Sequence, residues 1–281
     1  MNYQGAIFDV DGVLVDSPHE RAWRDSLQQL MEGAWRDIAP QTSYTPWAFT
    51  TSVYQEYVAG KPRMAGAKAA LDFFGVPDPD GSRVRAYAAT KQEYLLKLVA
   101  AGEFTAFDDA LRLVLRLKAA GLKLGVASSS KNANMFLERV PIGIFAARER
   151  EQRALGGDMD ASVDTGMDIE TVDHSALETL HIPADTSLLD VFDANVSGRD
   201  FAHGKPDPEM FLACAAELGL PPAECIVIED AQSGVQAAKA GGMAAIGIAR
   251  LGDEALLRAA HADYVVTSLD DIDVNALLED S

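Results

Sequence analysis

The sequence predicts an α/β fold, in which a doubly wound parallel sheet forms the core and a helical cap domain is inserted after the first strand. Three observations lead to this prediction. From about residue 108 onward, short apolar segments alternate with amphipathic helical ones; a similar apolar segment opens the chain; and the stretch between them has only helical periodicity. We therefore assign residues 1–16 plus 105–281 to the core domain and residues 17–104 to the cap domain.

The first predicted strand ends in two carboxylates, Asp9 and Asp11, which are followed by Gly12. Side chains alternate between the two faces of a strand, so both carboxylates lie on the same side of its end. Carboxylates this close repel each other unless a cation is nearby, and Mg2+ is the cation that prefers such oxygen ligands. Taken alone, the stretch also fits an ordinary acidic exit from a strand.

The segment that follows is predicted to be helical throughout. Apolar residues recur there at three- and four-residue spacing, and prolines and glycines separate the periodic stretches. The predicted helices cover residues 19–31, 50–57, 65–74 and 82–101.

The remaining elements alternate between helix and strand, which is typical of a parallel sheet with helices on both faces. In chain order they are a helix at 110–120, a strand at 123–127, a helix opened by 128–132, a strand at 193–196, a helix at 208–218, a strand at 225–228, a helix at 233–240, and strands at 244–248 and 264–267. Residues 146–185 interrupt this order with polar and acidic sequence. We expect a surface insertion there, with one helix near residues 174–180.

Polar residues follow the predicted strands one after another: Ser128, Lys205, and the pair Glu229 and Asp230. Each alone could be a polar strand exit, a helix cap, a loop lysine or a surface acidic pair. The carboxyl ends of parallel strands meet at one edge of a sheet, where the chemistry of such folds is found. Together with the first carboxylates, they predict one site that combines anion-binding groups with carboxylates suited to a cation.

The composition limits the partners. A net charge of -19, from 43 acidic and 24 basic residues, argues against binding to a nucleic-acid backbone or an anionic membrane. The only cysteines, Cys214 and Cys225, lack metal-ligand spacing and are too few for a disulfide scaffold. The carboxylate pair starts at residue 9, which leaves no room for a signal peptide, and no apolar run approaches membrane-spanning length. We expect a cytoplasmic protein, monomeric or weakly homo-oligomeric.

In combination, these residues resemble the four motifs of the haloacid dehalogenase-like phosphotransferases and hydrolases. The matching residues are Asp9-x-Asp11-Gly12, Ser128, Lys205-Pro206 and Glu229-Asp230. The helical block lies where that family carries its cap, and the resemblance spans nearly the whole chain apart from residues 146–185.

The resemblance implies a role for each catalytic residue. Asp9 would attack phosphorus and form an aspartyl-phosphate, while Asp11 would protonate the leaving oxygen and later deprotonate the incoming one. Ser128 and Lys205 would hold the transferring phosphoryl group. These roles agree with the physics of phosphoryl transfer, which depends mainly on positioning and charge neutralisation.

The same resemblance implies a Mg2+ site. The ion would be held by Asp9, by Asp230 and by the main-chain carbonyl of Asp11, and Glu229 would support the site. The dehalogenases of the family lack an aspartate at the position of Asp11, so dehalogenation is not expected.

Within the family, the sequence is most similar to the β-phosphoglucomutase group. The additional matching residues, which would bind the substrate, are His19, Trp23, Arg63, Ser130, Lys131 and Asn132. In that group the arginine and the Ser-Lys-Asn run hold the phosphate that is not reacting. One departure is Ala59, which stands where the group has a lysine, and another is the shorter stretch before His19.

Three cap residues also have simpler interpretations: His19 could make a local hydrogen bond, Trp23 could pack in the cap, and Arg63 could be a solvated charge. The sequence therefore predicts Mg2+-dependent phosphoryl transfer on a small sugar phosphate. A β-phosphoglucomutase-type isomerisation is favoured because a mutase needs two anion sites. The alternatives are a phosphatase of a similar ester and a catalytically idle binding protein on the same fold.

Overall fold

A computed structural model describes residues 3–156 and 180–279 of the chain. These residues divide into two compact units. One, the helical unit, is the continuous segment Val15–Thr105, and the other, the sheet unit, contains the rest of the described chain. The short strands Val15–Asp16 (β2) and Thr105–Ala106 (β3) pair where the chain passes between the units.

The sheet unit is built on six parallel strands in the order β5-β4-β1-β6-β7-β8. The strands are Gly5–Phe8 (β1), Lys123–Val126 (β4), Ala194–Asn195 (β5), Cys225–Glu229 (β6), Ala244–Ile248 (β7) and Tyr264–Val266 (β8). The chain begins in the middle of the sheet and moves outward in both directions, as in a doubly wound fold. The predicted fold class is confirmed.

Among the described residues, seven helices belong to the sheet unit; six precede or lie between its strands and the last follows β8. They are Asp108–Ala119 (α5), Ala133–Leu137 (α6), Ile142–Gly156 (α7), Glu209–Leu218 (α8), Gln232–Ala240 (α9), Glu254–Ala259 (α10) and Val274–Leu278 (α11). Their apolar faces cover the sheet. Alternate strand residues such as Ile7 and Val227 belong to one buried cluster with Phe211 of α8 and Ala238 of α9. Strands buried on both faces need continuous apolar sequence, as β1 and β6 have.

The helical unit contains His19–Glu32 (α1), Thr51–Val53 (α2), Arg63–Phe73 (α3) and Ser82–Ala100 (α4), with a π-helical turn at Tyr54–Val58. Its core is aromatic: Trp23 and Tyr87 contact edge-to-face at 5.0 Å, and the Tyr87 hydroxyl donates to the Trp23 carbonyl at 2.9 Å. The spacing of apolar residues on α1 and α4 therefore predicts which faces of these two helices pack together.

Several boundaries differ from prediction. The predicted insertion at residues 146–185 starts inside α7, because Phe145 and Ala146 continue its buried face while charged residues occupy the exposed one. The helix predicted near residues 174–180 falls almost entirely outside the described residues. The helix expected to open at 128–132 begins only at Ala133. Across residues 3–156 and 180–279, no helix has both the length and the apolar character needed to cross a membrane.

Candidate active site

The first two site residues lie side by side at the carboxyl edge of the sheet. Asp9 follows β1, and its N–H donates to the Ile228 carbonyl at 3.0 Å, so it continues the pairing with β6. Glu229 is the last residue of β6. Both side chains are buried, with exposed fractions of 6% for Asp9 and 1% for Glu229.

Lys205 supplies the cation between these carboxylates. Its Nζ donates to Asp9 Oδ1 at 2.7 Å and to Glu229 Oε1, and its side chain is only 5% exposed. The Nζ also lies over the Phe211 ring, 5.1 Å from its centroid. The structure thus brings together Asp9, Lys205 and Glu229, which are far apart in sequence.

The pKa values reflect an excess of buried negative charge. Burial raises the pKa of Asp9 to about 7; Glu229 and Asp11 add to this rise, and Lys205 opposes it. Burial also raises the pKa of Asp230 well above its ordinary value, with the Glu229 and Asp9 carboxylates adding to the effect. Burial alone would lower the pKa of Lys205, but its two carboxylate partners raise it above the usual range.

Two glycines allow the acidic residues to approach the backbone. Gly12 has a φ of +85°, and a Cβ there would lie 2.0 Å from Asp230 Oδ2. Gly234 lies in α9, and a Cβ there would lie 1.9 Å from Glu229 Oε1. Glu229 Oε2 in turn accepts from the Ala231 N–H at 2.9 Å. The turn after Asp11 and the start of α9 are therefore packed directly against carboxylates.

The donor set fits a divalent cation. Of the four acidic residues in the predicted metal set, Asp9 and Glu229 contact the buried Lys205. The other two, Asp11 and Asp230, lie close enough for repulsion within the set: Asp11 raises the pKa of Asp9, and Asp9 and Glu229 raise that of Asp230. Hard carboxylate oxygens with unbalanced charge are what Mg2+ prefers. Since Glu229 is bound by Lys205 and by the Ala231 N–H, it fits a supporting role better than a ligand role.

A second acidic group lies on the surface of the Lys205 loop. His203, Asp207 and Glu209 bring three potential ligand atoms within 4.8 Å of one another, although His203 is exposed. Exposed groups of this kind are common without an ion, so we assign no metal to it.

The segment after β4 forms a polar turn at the same sheet edge. Ser128 is buried, and its Oγ accepts from the Ser130 N–H at 3.1 Å; Ser130 Oγ accepts from the Asn132 N–H at 3.3 Å. The Lys131 Nζ donates hydrogen bonds to the Gly198 carbonyl at 2.7 Å and to Asp200 Oδ1 at 2.6 Å. The charge of Lys131 is therefore already engaged by the neighbouring loop.

The other predicted substrate residues belong to the helical unit. His19 and Trp23 lie on the buried face of α1, and both are near Lys91 of α4: its Nζ is 2.8 Å from His19 Nδ1 and 5.0 Å from the Trp23 ring centroid. Arg63 begins α3 and is half-buried. Burial lowers the pKa of Arg63, and its side chain makes no hydrogen bond or ion pair within the described part of the chain.

Lys91 is a functional candidate that sequence reasoning missed. It is only 4% exposed although lysine is rarely buried. The sequence does indicate that Lys91 is buried, because its position falls in the same helical stripe as Tyr87, Ala88 and Leu95. A lysine within an apolar stripe indicates a specific partner, which here is His19.

Comparisons with known proteins agree with this geometry. A family model described as haloacid dehalogenase-like hydrolase matches residues 3–152 and 163–242. A β-phosphoglucomutase of Mycobacterium tuberculosis is 32% identical, over 95% of this chain and 90% of its own length. A validoxylamine A 7'-phosphate phosphatase of Streptomyces hygroscopicus is 26% identical, over 96% of both chains. A crystal structure of a β-phosphoglucomutase from Pyrococcus is 27% identical, with a TM-score of 0.62 over 98% of this chain and 96% of that one.

Proposed function

The chain belongs to the haloacid dehalogenase-like hydrolase family and is an enzyme of its phosphatase and phosphomutase branch, and from this premise we propose that it transfers a phosphoryl group of a small sugar phosphate through Asp9. The observation that carries the proposal is the buried contact of Asp9 with Lys205 at the carboxyl edge of the sheet. A nucleophilic carboxylate splits one difficult displacement into two easier ones.

Each predicted catalytic residue of the sheet unit has a role in this chemistry. The Asp9 carboxylate attacks phosphorus, while Lys205 offsets charge on the phosphoryl oxygens. The Ser128 hydroxyl donates a hydrogen bond to the phosphoryl group, because Ser128 is buried just after β4, the strand that pairs with β1. Asp11 protonates the oxygen that leaves, and it accepts a proton from the oxygen that enters the second step.

Mg2+ is the cofactor that we propose, held by Asp9, Asp230 and the main-chain carbonyl of Asp11. When bound, it would neutralise charge on the phosphoryl oxygens and on the crowded carboxylates. The unbalanced buried charge of these carboxylates supports this assignment.

We favour a β-phosphoglucomutase-type isomerisation over simple hydrolysis. A mutase must hold a second phosphate. Arg63 supports such a site because it is half-buried and its side chain makes no hydrogen bond or ion pair with another described residue. The second candidate is a phosphatase. It is supported by the phosphatase relative and by the ion pair of Lys131 with Asp200, which competes with a second phosphate for that charge.

The substrate-binding roles remain predictions for His19, Trp23, Arg63, Ser130, Lys131 and Asn132. The cytoplasmic location and the monomeric or weakly oligomeric state also remain predictions. The pair of His19 and Lys91 supports a polar function for this part of the helical unit, because a buried lysine rarely serves packing alone.

Two assays on one sample test the proposal. The protein is given Mg2+ and β-glucose 1-phosphate with a trace of the bisphosphate, and glucose 6-phosphate and free inorganic phosphate are both followed. We expect the isomer without stoichiometric phosphate release, and loss of the reaction in Asp9→Asn. Phosphate without isomer would establish the phosphatase instead.

Arg63→Ala separates the two candidates further. In a mutase it should abolish isomer formation while partial reaction with the bisphosphate persists, because only the second anion site is lost. Arg83→Ala is a matched control from the same unit. Arg83 lies at the start of α4, and its guanidinium already donates to the Pro77 carbonyl. If Arg63→Ala behaved like this control, the second anion site would be refuted.

A further inference from the structure

Arg250 follows β7 and makes an unusual set of contacts within the sheet unit. Its Nε donates to the Gly12 carbonyl at 3.1 Å and its Nη2 to the Val13 carbonyl at 3.3 Å. The same guanidinium forms two 3.0 Å hydrogen bonds with the Asp109 carboxylate and lies 3.7 Å from the Phe107 ring centroid. A planar guanidinium with five fixed donors can satisfy all these partners at once, whereas a lysine cannot.

These partners lie on both links between the two units. Residues 12–14 lead from the sheet unit into β2, and Phe107 follows β3 on the return. The two links also bond directly, since the Phe107 N–H donates to the Leu14 carbonyl at 3.0 Å. Arg250 therefore anchors the chain at the points where it leaves and re-enters the sheet unit.

The anchor is itself held firmly. The Asp109 carboxylate also accepts from the Ala110 N–H and the Leu269 N–H, each at 2.9 Å. The side chains of Arg250 and Asp109 are mostly buried. A bidentate, desolvated ion pair with further hydrogen bonds has little freedom to move, so its position is set by the body of the sheet unit.

Asp11 lies in the short segment between the end of β1 and the two residues that Arg250 holds. On one side, Asp9 is fixed to β6 through its N–H. On the other side, Gly12 and Val13 are held by Arg250. The turn that carries Asp11 thus has two fixed ends. At the second end, Arg250 holds the Gly12 and Val13 carbonyls, and the Leu14 N–H donates to the Val10 carbonyl at 2.9 Å.

We propose that Arg250 is a positioning residue, which holds the turn after Asp11 so that the Asp11 carboxyl reaches the leaving oxygen. This inference rests on the proposed function. In the step concerned, the Asp9 oxygen bonds to phosphorus as the bond from phosphorus to the ester oxygen breaks. The proton of the Asp11 carboxyl then passes to that oxygen, which leaves as the free hydroxyl. Arg250 touches neither phosphate nor substrate in this account.

The test uses the dependence of rate on the leaving group. Esters with poor leaving groups need the proton from Asp11, and aryl or acyl phosphates with good leaving groups need it far less. We would measure kcat/KM with Mg2+ for sugar, alkyl, aryl and acyl phosphates in the wild-type protein and in Arg250→Lys. The expected result is a loss of about tenfold or more for the sugar phosphate, a small loss for the activated esters, and hence a steeper dependence on leaving-group pKa.

Arg112→Lys is the matched control. Arg112 makes an equally bidentate pair with Asp270, at 2.8 and 2.6 Å, and has no bond to residues 12–13. It should leave the leaving-group dependence unchanged. If Arg250→Lys folds poorly, Asp109→Asn gives the same readout, because it weakens the anchor while leaving Arg250 in the chain.

The outcomes are distinct. Equal losses for all esters, in Arg250→Lys and Asp109→Asn, would mean a structural role only and would overturn the inference. The same steepening in Arg112→Lys would also overturn it. If the wild-type protein turned over none of the esters, the proposed function itself would fail, and with it the basis of the inference.

Discussion

Replacing Gly234 with alanine tests how strictly the site depends on the start of α9. In an ordinary helix interior, this change stabilises a protein by about 0.5–1 kcal/mol, because glycine loses more backbone entropy on folding. Here the new methyl group would lie 1.9 Å from Glu229 Oε1 and 2.0 Å from its Cδ. The expected effect is therefore opposite to the usual one.

The size of the effect follows from what Glu229 holds. Ordinary contact begins near 3.4 Å, so the carboxylate must move by about 1.5 Å in a close-packed interior. That shift breaks its bonds to Lys205 Nζ and to the Ala231 N–H. Hydrogen bonds to charged groups contribute about 1.5–3 kcal/mol each, so after the helix gain we expect a net loss of about 2–5 kcal/mol.

Urea denaturation would measure this loss, and the phosphoryl-transfer assay would report the displaced Lys205. Gln236→Ala, on the exposed face of the same helix, controls for helix propensity and should be stable and active. If Gly234→Ala were as stable and as active as the wild-type protein, the packing of Glu229 against α9 would be refuted.

Three further changes test other parts of the site. Lys205→Met leaves the Asp9 carboxylate without its buried cation, so we expect a loss of about 3 kcal/mol or more and of nearly all activity; a stable, active variant would contradict the pair. Gly12→Ala places a methyl group 2.0 Å from Asp230 Oδ2 at a positive φ, so calorimetric titration should show weaker Mg2+ binding than in the wild-type protein; unchanged affinity would contradict the fit. Burial would raise the pKa of Asp109, but hydrogen bonds from its partners hold this pKa below the usual range. Asp109 therefore stabilises the fold above its unfolded pKa, and this contribution is lost as pH falls through its folded pKa. Asp109→Asn should cost about 1–3 kcal/mol in urea denaturation near pH 7 and less below about pH 4, whereas a cost independent of pH would contradict the charged pair.

The sequence patterns predict the sheet and its catalytic edge well, for a physical reason. Buried parallel strands are continuous apolar runs, and polar residues directly after them stand out; Asp9 and Glu229 are found this way and lie beside each other in the structure. Because the carboxyl ends of such strands share one edge, knowing the strands is enough to group the residues.

Other features could not be predicted because they depend on pairing between distant segments. Nothing near Arg250 in the sequence indicates that it reaches Asp109 and the Gly12 carbonyl. The apolar stripe of α4 singles out Lys91, but it does not reveal the partner, because His19 lies on another helix. The polar sequence of α7 resembles a surface insertion because an exposed helical face and a surface loop have similar composition.

The most direct test of the account is whether Asp9 itself becomes phosphorylated. The protein would be mixed with Mg2+ and a phosphate donor such as the sugar bisphosphate, quenched rapidly in acid, digested, and analysed by mass spectrometry. We predict one added phosphoryl group on the peptide that contains Asp9, formed fast enough to account for turnover and absent from Asp9→Asn. A phosphoryl group on another residue, or full turnover by Asp9→Asn, would contradict the account.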